Sequence, residues 1–328
     1  MKNLLIVASL IGISISSCLP PRKTVATERD PSEANIPLPS ELPDPANVER
    51  SDGLDAQAAT TTGRDLGDLE ELFSTWLNAS ETATGGKLGF ALVHIESKTR
   101  FYYKADIIVN SAAAAQWLWA AAALTQNSAG SLQQYAEPTF RQGSSEMAGR
   151  LIDFAGGISS VNRFGEGIGL NQSAWSLCRW SFSSSGSDPA CNTANSGSNF
   201  FTARAGLIFL EKMVGGELGL SDDKNSALLD WGQLSPKTGV DGWAASKLPA
   251  EAQEGLKHKA GWIPAPTGLD TLNDLAVLET KAGPVAVAVT MEGGNYEIQK
   301  TETARLLCLS HFYFSGMEDS DEVPQNCE

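Results

Sequence analysis

The chain has 328 residues, 42% hydrophobic and 19% charged, a globular composition with apolar material for one large core or two ordinary ones. Lys and Arg total 24 against 39 Asp and Glu, so the formal net charge is −15 and a nucleic-acid backbone would be repelled. The 3 His (His94, His258 and His311) are scattered, and neither HExxH nor CxxC occurs, so neither a metal nor another cofactor is expected.

The chain begins like an exported protein. Lys2 precedes an apolar stretch from Leu4 to Ile15, then Ser16-Ser17-Cys18. A positive start, a short apolar run and small residues before a cut site make a secretory signal, here residues 1–17. The apolar run falls short of the roughly 20 residues that a bilayer-spanning helix needs. Ile15-Ser16-Ser17-Cys18 resembles the bacterial lipobox, which implies a lipid on Cys18 and a membrane as partner. Leu19 follows the Cys; by resemblance to enterobacterial sorting rules it points to the outer membrane, facing the periplasm.

Residues 18–65 form a tether. From Leu19 to Asp65 there is no aromatic residue, and 7 of the 15 Pro fall here. Such a stretch buries too little apolar surface to offset its ordering entropy. As a flexible coil it reaches about 35–40 Å.

The folded body is expected over residues 66–316. Leu66, Leu69, Leu72, Phe73, Trp76 and Leu77 recur at helical spacing. Leu88 to Ile95 and Phe101 to Tyr103 read as strands joined by a polar turn, with His94 a structural strand residue. An Ala-rich helix follows, capped by Asn110 or Ser111 and apolar nearly all round, hence buried. Residues 133–234 show helical patterns and no convincing strand. Strands return at Leu256 to Gly261, Leu275 to Thr280 and Val285 to Met291, and a last helix runs from Ile298 to Phe314. The fold class is α/β, an α+β sandwich: an antiparallel sheet built from both chain ends, flanking helices, and an inserted all-helical subdomain over about residues 112–235.

Beyond Cys18, Cys178, Cys191, Cys308 and Cys327 are even in number, as in a chain that meets an oxidising compartment. Three pairings exist. Local pairing, Cys178 with Cys191 and Cys308 with Cys327, needs the least rearrangement and ties the acidic tail, residues 317–328, back to the body.

The order of elements and short motifs resembles class A β-lactamases within the serine β-lactamase and penicillin-binding superfamily. That family carries Ser-x-x-Lys at a central helix, then Ser-Asp-Asn, then Lys-Thr-Gly on a late strand. The resemblance places Ala113 and Gln116 at the Ser and the Lys, Ser144-Ser145-Glu146 at the second motif and Lys259-Ala260-Gly261 at the third. Arg179-Trp180-Ser181 matches the family's Arg-x-Glu, which puts Ser181 where the deacylating carboxylate stands. Asn273-Asp274 precede the next strand. Ser144, Lys259 and Gly261 remain as ligand-binding candidates, while Trp117, Trp119, Trp175, Trp180 and Trp262 are assigned to the core.

Acyl transfer needs an oxygen nucleophile and a base to take its proton; Ala113 and Gln116 supply neither. The expected function is therefore a non-catalytic envelope lipoprotein that binds a peptidoglycan fragment or an envelope protein. The alternatives are a serine hydrolase with rearranged machinery (β-lactamase, D,D-peptidase or esterase type), for which Ser111 is a possible shifted nucleophile, and a purely structural component.

Overall fold

The computed structural model describes residues 66–185, 199–237, 242–263, 270–316 and 325–327. The expected signal and tether, with Cys18, lie outside them, as does Cys191.

Helix α1 (Leu66–Thr84) leads into β1 (Lys87–His94) and β2 (Arg100–Tyr103). A two-residue strand β3 (Val109–Asn110) opens the helical half: α2 (Gln116–Gln126), α3 (Ala129–Gln142), α4 (Ser145–Phe154) and α5 (Ile158–Gly167). Then come β4 (Trp175–Ser176), β5 (Phe200–Phe201), α6 (Ala203–Val214), α7 (Asp222–Gln233) and the short α8 (Ala250–Gly255). The chain returns through β6 (Lys257–Ile263), β7 (Thr271–Thr280) and β8 (Gly283–Glu292) to α9 (Tyr296–Ser315).

The main sheet runs β2-β1-β8-β7-β6, antiparallel throughout, so the first strand lies directly against the last. Its two faces differ in bulk. On β8, Val285, Val287, Val289 and Met291 point into the core shared with α1 and α9, while Ala286 and Ala288 join the core of the helical half. Period-two alternation of large and small residues thus sets how close each helix comes. Gly206 of α6 uses the small face: a Cβ there would lie 3.2 Å from the Ala288 methyl. On the bulky face, the Phe73 ring meets Trp76, Phe90, Phe101 and Tyr313 at 5.2–5.9 Å, joining α1, β1, β2 and α9.

Helix α2 is buried from Gln116 through Leu124 and forms the axis of the helical half. Its Trp117 indole donates to the Leu228 carbonyl of α7 at 3.0 Å. The cap of α2 differs from expectation. The Asn110 carboxamide accepts from the Ala112 amide at 3.0 Å, and Ser111 is fully buried with its hydroxyl unpartnered, so Ser111 caps nothing.

Two further corrections concern strands. Residues 133–234 do contain strands: β4 and β5 pair with β3 in a small sheet, too short for any periodicity to announce. Asn273 and Asp274 lie inside β7, not before it, and both are fully buried. Polar residues are tolerated there because Asn273 donates to the Asn110 carbonyl at 2.7 Å and Asp274 faces His258 at 3.2 Å. His94 is the buried strand residue expected, its ring nitrogens 2.7 Å from the Ser97 hydroxyl and 2.8 Å from the Ala282 carbonyl.

The Cys308–Cys327 disulfide is formed, with Cα atoms 5.5 Å apart, and holds the tail segment to α9. Cys178 is also disulfide-bonded; Cys191, the partner expected for it, is outside the described residues. Among the described residues no helix is long and apolar enough to cross a membrane.

Candidate functional site

The site forms where the turn leading into α2 meets the edge strand β6. Ala112 holds φ at +46°, a left-handed conformation uncommon for a residue with a Cβ. The chain reverses there, and the Ala113 carbonyl accepts from Gln116 N at 3.1 Å, starting the helix. Gly261 of β6 closes on this turn: a Cβ on it would fall 2.4 Å from Ala113 N and 2.2 Å from Ala114 N. Only a residue without a side chain allows that approach.

A cleft opens on this junction in two lobes that share Ala113, Ser145 and Trp262. The smaller lobe, about 210 Å³, is walled by Phe140, Gly143, Ser235, Trp243 and Lys259. The larger, about 750 Å³, is walled by Asn110, Arg179, Trp180, Ser181 and Ile263. Among the described residues no Asp or Glu lines either lobe; the charged groups there are Lys259 in one and Arg179 in the other. In a chain of net charge −15, both charged side chains on the described walls of the cleft are basic.

Lys259 is buried, and its ammonium donates to the Ala260 carbonyl at 2.8 Å. Behind it, His258 is fully buried on β6, with Nδ1 3.2 Å from both Asp274 carboxylate oxygens and Nε2 3.0 Å from the Pro236 carbonyl. These contacts tie β7 and the segment after α7 to the back of the smaller lobe. Lys237, next to Pro236, donates to the Leu256 carbonyl. Burial pulls its ammonium down to about 8, against the attraction of Asp274, with Lys257 adding a small push the same way.

Ser144 and Ser145 divide their roles. The Ser144 hydroxyl accepts from Met147 N at 3.3 Å and caps α4, and Ser144 lines neither lobe. Ser145 lines both lobes and, of these two serines, is the one that shares the smaller lobe with Lys259. The sequence pairs Lys259 with Ser144; the cap shifts that place by one residue.

The loop after β4 supplies the outer wall. The Asn199 carboxamide oxygen receives the amides of Cys178 and Arg179 at 2.8 and 3.0 Å. The Trp180 indole donates to the Ser145 carbonyl at 3.0 Å, and Phe182 lies so close to α4 that a Cβ on Gly149 would be 2.4 Å from its carbonyl. Ser181 between them is exposed and points no acid or base into the lobe.

Gln116, the first residue of α2, is fully buried, and neither atom of its amide has a partner. Ala113 offers a methyl, with neither nucleophile nor proton acceptor. Among the described residues no three His, Cys, Asp or Glu gather as a metal site would require. Trp180 and Trp262, assigned by the sequence to the core, are half-buried cleft walls. The position of Trp262, right after Lys259-Ala260-Gly261 on an edge strand, is the signal that marks it.

No protein-family model and no curated protein matches the sequence. Solved structures do. A β-lactamase from Chitinophaga pinensis superposes with a TM-score of 0.61 at 18% identity, over 72% of this chain and 97% of that one. A mutant of the last common ancestor of Gram-negative bacteria class A β-lactamase gives 0.60 at 20% identity, over 74% and 99%. An ancestral class A β-lactamase gives 0.59 at 20%, over 73% and 99%. The chain has the class A β-lactamase fold.

Proposed function

We propose that this chain is an envelope lipoprotein, anchored through Cys18 in the outer membrane and facing the periplasm, whose β-lactamase-like domain binds rather than hydrolyses its ligand. The ligand class this favours is a fragment of peptidoglycan. The carrying observation is Ala113: at the helix turn pressed against Gly261, in the middle of the cleft, the side chain has no oxygen. The buried, neutral Gln116 and the exposed Ser181 add no base. Losing the nucleophile of such machinery typically costs on the order of a million-fold in rate. The cleft itself persists, with Lys259 and Arg179 among its described walls, as a binding site for an anionic ligand requires.

Intact-mass spectrometry after incubation with a penicillin tests this. The wild-type chain is expected to gain no adduct. Ala113→Ser is expected to acylate slowly at most, and Ala113→Ser with Gln116→Lys measurably, with poor turnover while Ser181 stays. A wild-type mass shift of one penicillin, mapped to any serine, would replace the binding reading with the hydrolase one. Anchoring is tested separately: Cys18→Ser is expected to abolish lipid incorporation and leave unprocessed precursor.

A further inference from the structure

We infer that the larger lobe is a saccharide site, taking a sugar ring that carries a carboxylate. This rests on the reading of the cleft as a binding site and names the part of the ligand that the lobe receives. Its volume of about 750 Å³ lies within the range of small-ligand sites.

Two indoles form its walls, and both are held in place. Trp180 is fixed by its bond to the Ser145 carbonyl and by the edge of Trp119, 4.8 Å away. Trp262 is backed by the Tyr296 ring at 5.0 Å and a 35° tilt. Each is half-buried and lines the lobe. A pyranose ring has apolar C–H faces and a rim of hydroxyls, and flat aromatic walls match the faces. Ser145 and Ser181 line the same lobe, and a serine hydroxyl can donate and accept, as sugar hydroxyls require.

The charge fixes the class further. Arg179 is exposed on this lobe and, among the described residues, makes no ion pair and has no acid beside it on the walls. A planar guanidinium left open beside two ring walls suits a carboxylate borne by the sugar.

The test uses the full chain in detergent, followed by tryptophan fluorescence and calorimetry. The probes are N-acetylglucosaminyl-N-acetylmuramic acid, the neutral disaccharide N,N′-diacetylchitobiose, and a sugar-free stem peptide. Saturable quenching by the acidic disaccharide is expected, with weaker binding of the neutral one. Arg179→Gln should weaken the acidic disaccharide about tenfold and leave the neutral one unchanged. Ser181→Trp, at an exposed position that fills the lobe without touching the core, should abolish both. No saturable response to either sugar up to about 10 mM overturns the inference, as does equal binding in both variants. Binding of the stem peptide alone also overturns it, while leaving the non-catalytic reading intact. A penicillin adduct on the wild-type chain would remove that reading without altering the sugar result.

Discussion

Gly261 and Ala113 lie backbone to backbone: a single methyl added to Gly261 would fall 2.4 Å from the Ala113 nitrogen. The edge strand and the turn of α2 therefore meet with no side chain between them, and both lobes of the cleft start from that seam. Gly261→Ala must push β6 off α2. The expected cost is about 1–3 kcal/mol, as for other overpacked sites, read from urea denaturation. Both lobes should lose ligand binding together. An unchanged denaturation midpoint would show that the strand yields freely.

Gln116 is a second stress point. Its amide is buried with no partner at either end, which costs more than an apolar side chain of the same reach. Gln116→Met is expected to raise stability by about 1–3 kcal/mol, seen as a higher Tm. A fall in Tm would mean that the amide is satisfied in solution, for instance by a buried water.

Lys237 gives the protein an alkaline signature. Its ordinary value is 10.5 and the folded value about 8. Between those two values the unfolded chain holds a proton that the folded chain has released, so this group's contribution to stability rises with pH. Below about 8 both states are charged and the burial penalty is felt in full. The stability advantage of Lys237→Met over wild type should therefore be largest at neutral pH and shrink as pH rises towards 10.5. A constant difference between the two proteins across that range would contradict it.

The Cys308–Cys327 bridge closes a loop with a sequence separation of 19. Removing it by Cys327→Ser should cost about 2–4 kcal/mol, in denaturation curves taken without reductant. Peptide mapping under non-reducing conditions should recover the 308–327 pair. A Cys327→Ser variant as stable as wild type would mean that the tail contributes nothing.

Much of this architecture is legible in the residues. The apolar runs from Leu88 to Ile95 and from Val285 to Met291, and the Ala-rich run before Trp119, announce the strands and the buried helix that the structure contains. What stays hidden has specific causes. Two-residue strands such as β3, β4 and β5 are shorter than any period. Asn273 and Asp274 read as lying before a strand because their partners, Asn110 and His258, are remote in sequence. Ser144 and Ser145 are chemically identical, and only the cap to Met147 decides which one looks into the cleft. Trp180 and Trp262 carry the same large apolar side chain as the core tryptophans, and composition does not say which face is left open.

The pairing of β1 with β8 has a consequence in time. Lys87 binds Glu292 across 205 residues of chain, and among the described residues the β1–β2 pair joins the rest of its sheet only through β8. Contacts that distant in sequence close slowly. Until residue 292 is available, β1 and β2 form only an isolated hairpin, with α1 lacking the α9 surface it packs on. A nascent chain of this topology cannot close its main sheet until most of its length has been made.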